Sequence, residues 1–302
     1  MTLLHLVGHD ATNHGDDALA LARTIGDGHD VRRLVVHVLP VGGPTYPVTD
    51  SWIDAQPPAV RARLDRVRDS LRGDETVEYV FAHSPARGLH DRAEEHAADL
   101  VVVGSHVRDP RAPVLGTVAG RMLSGGPCAV AHAPAGYAAS AHTLSRIVVG
   151  FDGSPESHDA LGEAAALAVA TGAVVDVVSA HDPTAHILGF PGAVSVTPTE
   201  THEAQRAAEQ LAGEGLDAMP VSVRGISAGR SGTPGATIEL FATQQDADLV
   251  VLGSRGYGPL RRALLGSTGS HVLHHTDRPV LVLPRGVHAI VAADAHGFPV
   301  AP

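Results

Sequence analysis

Short apolar runs bounded by turn residues, with longer amphipathic stretches between them, organise this chain. In the second half, residues 147–151 are almost continuously apolar, as in a strand buried on both faces. Ser154 then offers an N-cap and Pro155 a first helical residue, and the Ala- and Leu-rich stretch that follows predicts a helix stopping near Gly172. Further strands are predicted over residues 174–179, 219–223, 249–253 and 280–283. Strands alternating with helices imply a parallel sheet covered on both faces, which binds ligands at the carboxyl ends of its strands where the strand order reverses. Asp152 and Gly253 both stand at such ends.

The pattern occurs twice. Leu6-Val7-Gly8-His9-Asp10 parallels Val148-Val149-Gly150-Phe151-Asp152, and Asp99-Leu100-Val101-Val102-Val103-Gly104-Ser105 parallels Asp248-Leu249-Val250-Val251-Leu252-Gly253-Ser254. A Pro-led apolar strand closes each copy, starting at Pro127 and at Pro279. The offsets of 142, 149 and 152 residues keep one order, so the chain is a collinear tandem repeat. The expected architecture is α/β: two tandem Rossmann-like domains, each an open five-stranded parallel sheet with helices on both faces. The first spans residues 1–137, the second 145–287, and 288–302 form a C-terminal tail. The Ala-, Gly-, Ser- and His-containing join between Pro134 and Arg146 reads as a linker.

Composition narrows the chemistry. The 302 residues carry a formal charge of −11, which argues against a nucleic-acid or anionic-membrane binder. All 22 basic residues are arginine; the absence of lysine excludes a Walker A lysine, a kinase strand lysine and imine chemistry. The single cysteine, Cys128, rules out an internal disulfide and reads as a small core residue. No targeting leader or membrane span is recognised, so the expected location is the cytoplasm.

After the fourth strand of the second copy comes Gly253-Ser254-Arg255-Gly256-Tyr257-Gly258 and, further on, Gly266-Ser267-Thr268-Gly269-Ser270. Glycines let backbone N–H groups approach anionic oxygens, and the helix expected over residues 271–275 would add the free donors of its N-terminus. Ser267 and Thr268 supply hydroxyls, Arg255 and Arg261 cations. Without lysine, any phosphate bound here is held by such groups. Gly253-x-x-Gly256, nine residues and Gly266-Ser267, in this strand context, resembles the nucleotide-binding signature of the universal stress protein family, and both copies share the resemblance. It implies an adenine-nucleotide-binding α/β fold: Gly253, Gly256, Gly266, Ser267 and Thr268 around ribose and phosphates, Arg255 beside them, Asp152 and Gly153 next to the nucleotide, and a residue near the end of the second strand, Ser179 or Ala180, bordering adenine. It implies ATP, with Mg²⁺ as an optional companion, in a stress-response sensor or regulator. It also implies that the two final strands pair antiparallel as an intramolecular pseudo-dimer, with association of two chains left open. No catalytic group and no resident metal site is assigned.

The first copy departs from the signature. Val107 stands where the second glycine belongs, Pro110 and Pro113 stiffen the loop, and Ala11-Thr12 replaces Gly153-Ser154, so its nucleotide loop is degenerate. Two other function classes stay open: a slow ATPase or adenylyl-transfer enzyme on the same scaffold, and a ligand-free interaction scaffold in which the glycines make only a turn and a cap. The clustered His271, His274 and His275 read as solvated or capping residues at a helix end.

Overall fold

The computed structural model describes residues 2–105, 118–123, 125–140, 142–182, 198–254, 266–284 and 290. In the first half the chain runs β1 (Leu3–Gly8), α1 (Asn13–Ile25), β2 (Val31–Pro40), β3 (Tyr46–Pro47), α2 (Asp50–Asp54), α3 (Pro58–Asp69), β4 (Thr76–Ala82), α4 (Pro85–Glu95), β5 (Leu100–Gly104), α5 (Val118–Leu123) and β6 (Ala129–Ala133). The second half continues with β7 (Arg146–Gly150), α6 (Pro155–Thr171), β8 (Val174–His181), α7 (Pro198–Asp217), β9 (Arg224–Ser231), α8 (Pro234–Gln244), β10 (Leu249–Gly253), α9 (Ser267–His275) and β11 (Val280–Leu283).

Each half contributes five parallel strands in one order, β4-β2-β1-β5-β6 and β9-β8-β7-β10-β11; the two-residue β3 adds antiparallel to β4. The halves join through β6 and β11, which pair antiparallel with Val130 opposite Val282, making one mixed sheet of 11 strands. The last strands are thus covered rather than exposed as edges. α1, α3, α6 and α7 bury their apolar stripes on one face, and α4, α5, α8 and α9 on the other. Each face carries a continuous core that includes residues of both halves: Val7 and Leu281 on the first, Leu6 and Val282 on the second.

Local rules place the elements. Ser154 caps α6, its Oγ accepting the Ser157 N–H at 3.2 Å; Pro155 is the first helical residue, and Gly172 ends the helix in the left-handed region at φ 75°. The repeated aspartates anchor the start of the first strand of each half. Asp99 Oδ2 accepts the Leu4 N–H at 2.8 Å, and Asp248 Oδ2 accepts those of Ser145 and Arg146 at 2.8 and 2.9 Å. The third strand of the second half differs from expectation. Residues 221–223 form a 3-10 turn, and the strand is the more polar Arg224–Ser231 at the sheet edge, where a continuous apolar run is not required. The join is tied down: Gly136 and Ala138 donate their N–H groups to the buried Asp17 carboxylate at 2.9 and 2.8 Å, and Tyr137 is buried against α1. Residue 290, in the expected tail, is also anchored. Ile290 is buried, accepts from His5 Nε2 at 2.8 Å and donates to Glu163 Oε2 at 3.1 Å.

Candidate functional site

Strand order reverses between β7, which leads to β8 on one side, and β10 on its other side. At the carboxyl ends of these strands lies a cavity of about 290 Å³. Asp152, Ser154, Glu156 and Ser157 enter it from the β7–α6 turn, Val178 and Ala180 from β8, and Leu252, Gly253 and Ser254 from the end of β10. Gly266, Thr268 and Gly269 face it from the start of α9, and Pro234, Ile238 and Val282 complete apolar walls.

Of the residues expected at the site, Asp152, Ala180, Gly253, Gly266 and Thr268 are brought together here. Gly153 lies within the turn and Ser267 is the first residue of α9; neither lines the cavity. Arg255, Gly256 and Arg261 lie outside the described residues, as does Val107 of the first copy. α9 begins at Ser267, four residues earlier than expected, so Ser267 and Thr268 belong to its first turn.

The β7–α6 turn is shaped by its own hydrogen bonds. Asp152 Oδ1 accepts from Ser154 N–H at 3.1 Å and Ser154 Oγ–H at 2.5 Å, and Gly153 takes φ 75°, a left-handed conformation that suits glycine. Ser154 therefore caps the helix as expected, but Asp152 is itself drawn into the turn. Gly253 has a packing reason to be glycine: a Cβ there would stand 2.5 Å from the Glu156 carbonyl. The two helix starts differ. α6 is capped by a side chain, whereas α9 begins at Gly266 with no side-chain cap, and its first intrahelical bond runs from Ser270 N–H to Gly266 O at 2.9 Å. The N–H groups of residues 267–269 thus have no intrahelical acceptor, beside a cavity. Ser254 adds a buried Oγ without a hydrogen-bond partner among the described residues. Ser254 and Glu156 were not expected at the site; for Ser254 the available signal was its place directly after a predicted strand end, whereas Glu156 is brought there by helix packing.

The model of the universal stress protein family matches residues 5–134 and 143–284, nearly the whole chain and each half separately. The chain belongs to the universal stress protein family. A universal stress protein of Mycobacterium tuberculosis is 27% identical over 295 residues, covering 92% of this chain and 99% of that one. One of Mycolicibacterium smegmatis is 30% identical, covering 92% and 96%. Among solved structures, a putative universal stress protein of Pseudomonas aeruginosa is similar in fold, with a TM-score of 0.62 at 18% identity over 94% of each chain. One from Archaeoglobus fulgidus gives 0.59 at 18% identity, over 95% of this chain and 100% of that one.

The first half of this universal stress protein keeps a cavity at the equivalent place, about 250 Å³, lined by residues that include Gly8, His9, Asp10, His14, Val38, Arg63, Leu89, Val103, Gly104 and Val118. Asp10 repeats the turn, accepting from Thr12 N–H at 3.0 Å and Thr12 Oγ1–H at 2.7 Å. His9 is held by both ring nitrogens: Nδ1 accepts the Ala11 N–H at 3.0 Å, and Nε2 faces Asp16 Oδ1 at 3.2 Å. Asp16, seven residues further on, is the acidic partner of this ring. Burial lowers the His9 pKa against the opposing pull of Asp16, which keeps the ring neutral near pH 7.

Among the described residues one group of three metal-capable side chains occurs, His90, Asp91 and Glu94 on α4, none of which lines either cavity. Cys128 is buried beside β6, and burial pushes its thiol up to about 12, as befits a core residue. No helix among the described residues is long and apolar enough to cross a membrane.

Proposed function

We propose that the second half, residues 145–287, binds ATP with Mg²⁺, and that the protein acts as a cytoplasmic nucleotide-responsive sensor or regulator of the stress response. The observation that supports this most is the uncapped start of α9 facing the cavity that Asp152, Ala180 and Ser254 share. Free N–H groups with the positive end of a helix dipole favour phosphate oxygens. The Thr268 hydroxyl and the Ser254 Oγ, which has no partner among the described residues, supply polar contacts of the kind a phosphate or ribose needs. The apolar walls from Val178, Ala180 and Ile238 offer a place for a flat base.

The same residues fit a magnesium-bound triphosphate better than a bare one. Asp152 and Glu156 are the ionisable residues lining the cavity among the described residues, so an incoming polyphosphate meets negative charge. Mg²⁺ held on the phosphates would neutralise part of their charge, and a carboxylate such as Asp152 suits its coordination shell.

Isothermal titration of the full chain with ATP·Mg²⁺ tests the proposal. One site per chain is expected, weakened about tenfold or more by Gly266→Val, which crowds the approach to the α9 N–H groups. Gly266 sits at φ −73°, so valine is tolerated by the backbone there. A wild-type chain that binds no adenine nucleotide, or a variant that binds equally well, overturns the assignment.

A further inference from the structure

The cavity of the first half has apolar or smaller residues at several places where its counterpart is lined by polar ones. By the repeat, Val118 takes the place of Thr268, Val38 that of Ala180, and Gly15 that of Ser157. Val38, Leu89 and Val103 make the interior aliphatic. Apart from Arg63, its polar lining comes from His9, Asp10 and His14; both His9 ring nitrogens are held, and Thr12 occupies Asp10 Oδ1.

Arg63 differs. It reaches the cavity from α3, sits exposed at its rim, and among the described residues makes one hydrogen bond, to the Asp10 carbonyl at 3.2 Å. It forms no ion pair among the described residues, and a guanidinium carries five N–H donors in a fork that matches a carboxylate. A cation at the mouth of an aliphatic cavity recognises an anion with an aliphatic body. The volume of about 250 Å³ sets the size. At about 30 Å³ per water-sized group, it holds roughly eight to ten heavy atoms.

We propose that the first half binds a small aliphatic monocarboxylate, with its tail against Val38, Leu89 and Val103 and its carboxylate at Arg63. This is a different ligand class from that of the second half, and it stands whether or not the second half takes ATP.

The test is calorimetric titration of the full chain with octanoate and, in parallel, with octan-1-ol. Octanoate should bind saturably at one site per chain, and saturating ATP·Mg²⁺ should not displace it. Arg63→Ala, a surface change that spares the core, should weaken octanoate about threefold or more and leave octanol unchanged. Val38→Phe, checked for folding by circular dichroism, should fill the cavity and abolish binding of both probes. Three results overturn the proposal: no saturable octanoate binding, displacement by ATP, or equal octanoate affinity in wild type and Arg63→Ala. If Val38→Phe does not fold, the Arg63→Ala comparison of the two probes decides.

Discussion

The β1–α1 and β7–α6 turns trace one backbone path with different residues. In the second half Gly153 takes φ 75°; in the first, Ala11 takes φ 63°, a conformation that side-chain-bearing residues rarely adopt. Both turns are tied by an aspartate Oδ1 accepting from the N–H and hydroxyl of a Ser or Thr two residues on. The backbone geometry has thus persisted where the side chains have changed, even at the cost of strain. By contrast, the side chains lining the two cavities have diverged in polarity. Turn geometry answers to the sheet and the helix packed on it, whereas cavity polarity answers to what enters.

The largest expected effect breaks both halves alike. A Cβ on Gly104 would stand 1.9 Å from the His14 carbonyl oxygen, and one on Gly253 2.5 Å from that of Glu156. Gly104→Ala and Gly253→Ala should each cost about 3 kcal/mol in urea unfolding, since backbone rather than a flexible side chain must give way. A Gly253→Ala chain as stable as wild type that had lost ATP would instead make this glycine a ligand residue.

Acid should separate the halves. His5 and His132 are buried in the first half, and burial lowers each to about pKa 4. The repeat and the strand registers put Ile147 and Val282 at the matching positions. Unfolded histidine binds its proton near pH 6.5, so between about pH 4 and 6.5 the unfolded chain holds more protons than the folded one. The stability these rings contribute is full above about pH 6.5 and is lost as pH falls toward 4, by up to about 3 kcal/mol for each. Thermal unfolding from pH 7.5 to 4 should show this loss, and His132→Val should shrink it while leaving stability near pH 7.5 little changed.

Two smaller effects sharpen the contrast. Thr268→Val, which copies Val118 into the second half, should weaken ATP about three- to tenfold, the value of one hydroxyl contact, with no change in unfolding. The reciprocal Val118→Thr should not create ATP binding in the first half. Ala11→Gly should stabilise the chain by about 0.5–1 kcal/mol, and Gly153→Ala should destabilise it by about 1 kcal/mol, both read from denaturation midpoints.

Much of this was legible in the amino acids because the signals were local. A cap such as Ser154 with Pro155, a stop such as Gly172 and buried runs such as Leu249–Gly253 declare themselves within a few residues. The strand at Arg224–Ser231 was missed because an edge strand needs little apolar content, while the more apolar residues 221–223 form a turn. At the site, the repeat and the glycine spacing pointed to Asp152, Gly266 and Thr268. The proximity of Glu156 to the end of β10 comes from helix packing and leaves no mark in spacing. The pairing of His5 with Ile290, 285 residues apart, is equally invisible in one dimension.

Finally, the β6–β11 seam has a symmetry of its own. Val101 pairs with Val130 and its repeat counterpart Val250 with Val280, so Ala131 corresponds to Leu281, and these two residues face each other across the seam. A position meeting its own counterpart is the mark of an isologous two-fold contact, the kind that joins identical subunits. Here one chain supplies both sides, and residues 134–145 act as a tether that raises the effective concentration of each half at the other to roughly the millimolar range. A seam of three registered strand positions can then persist without the affinity that separate subunits would need. In a homodimer every substitution appears twice, whereas in this fused pair one cavity can change while the other stays as it was.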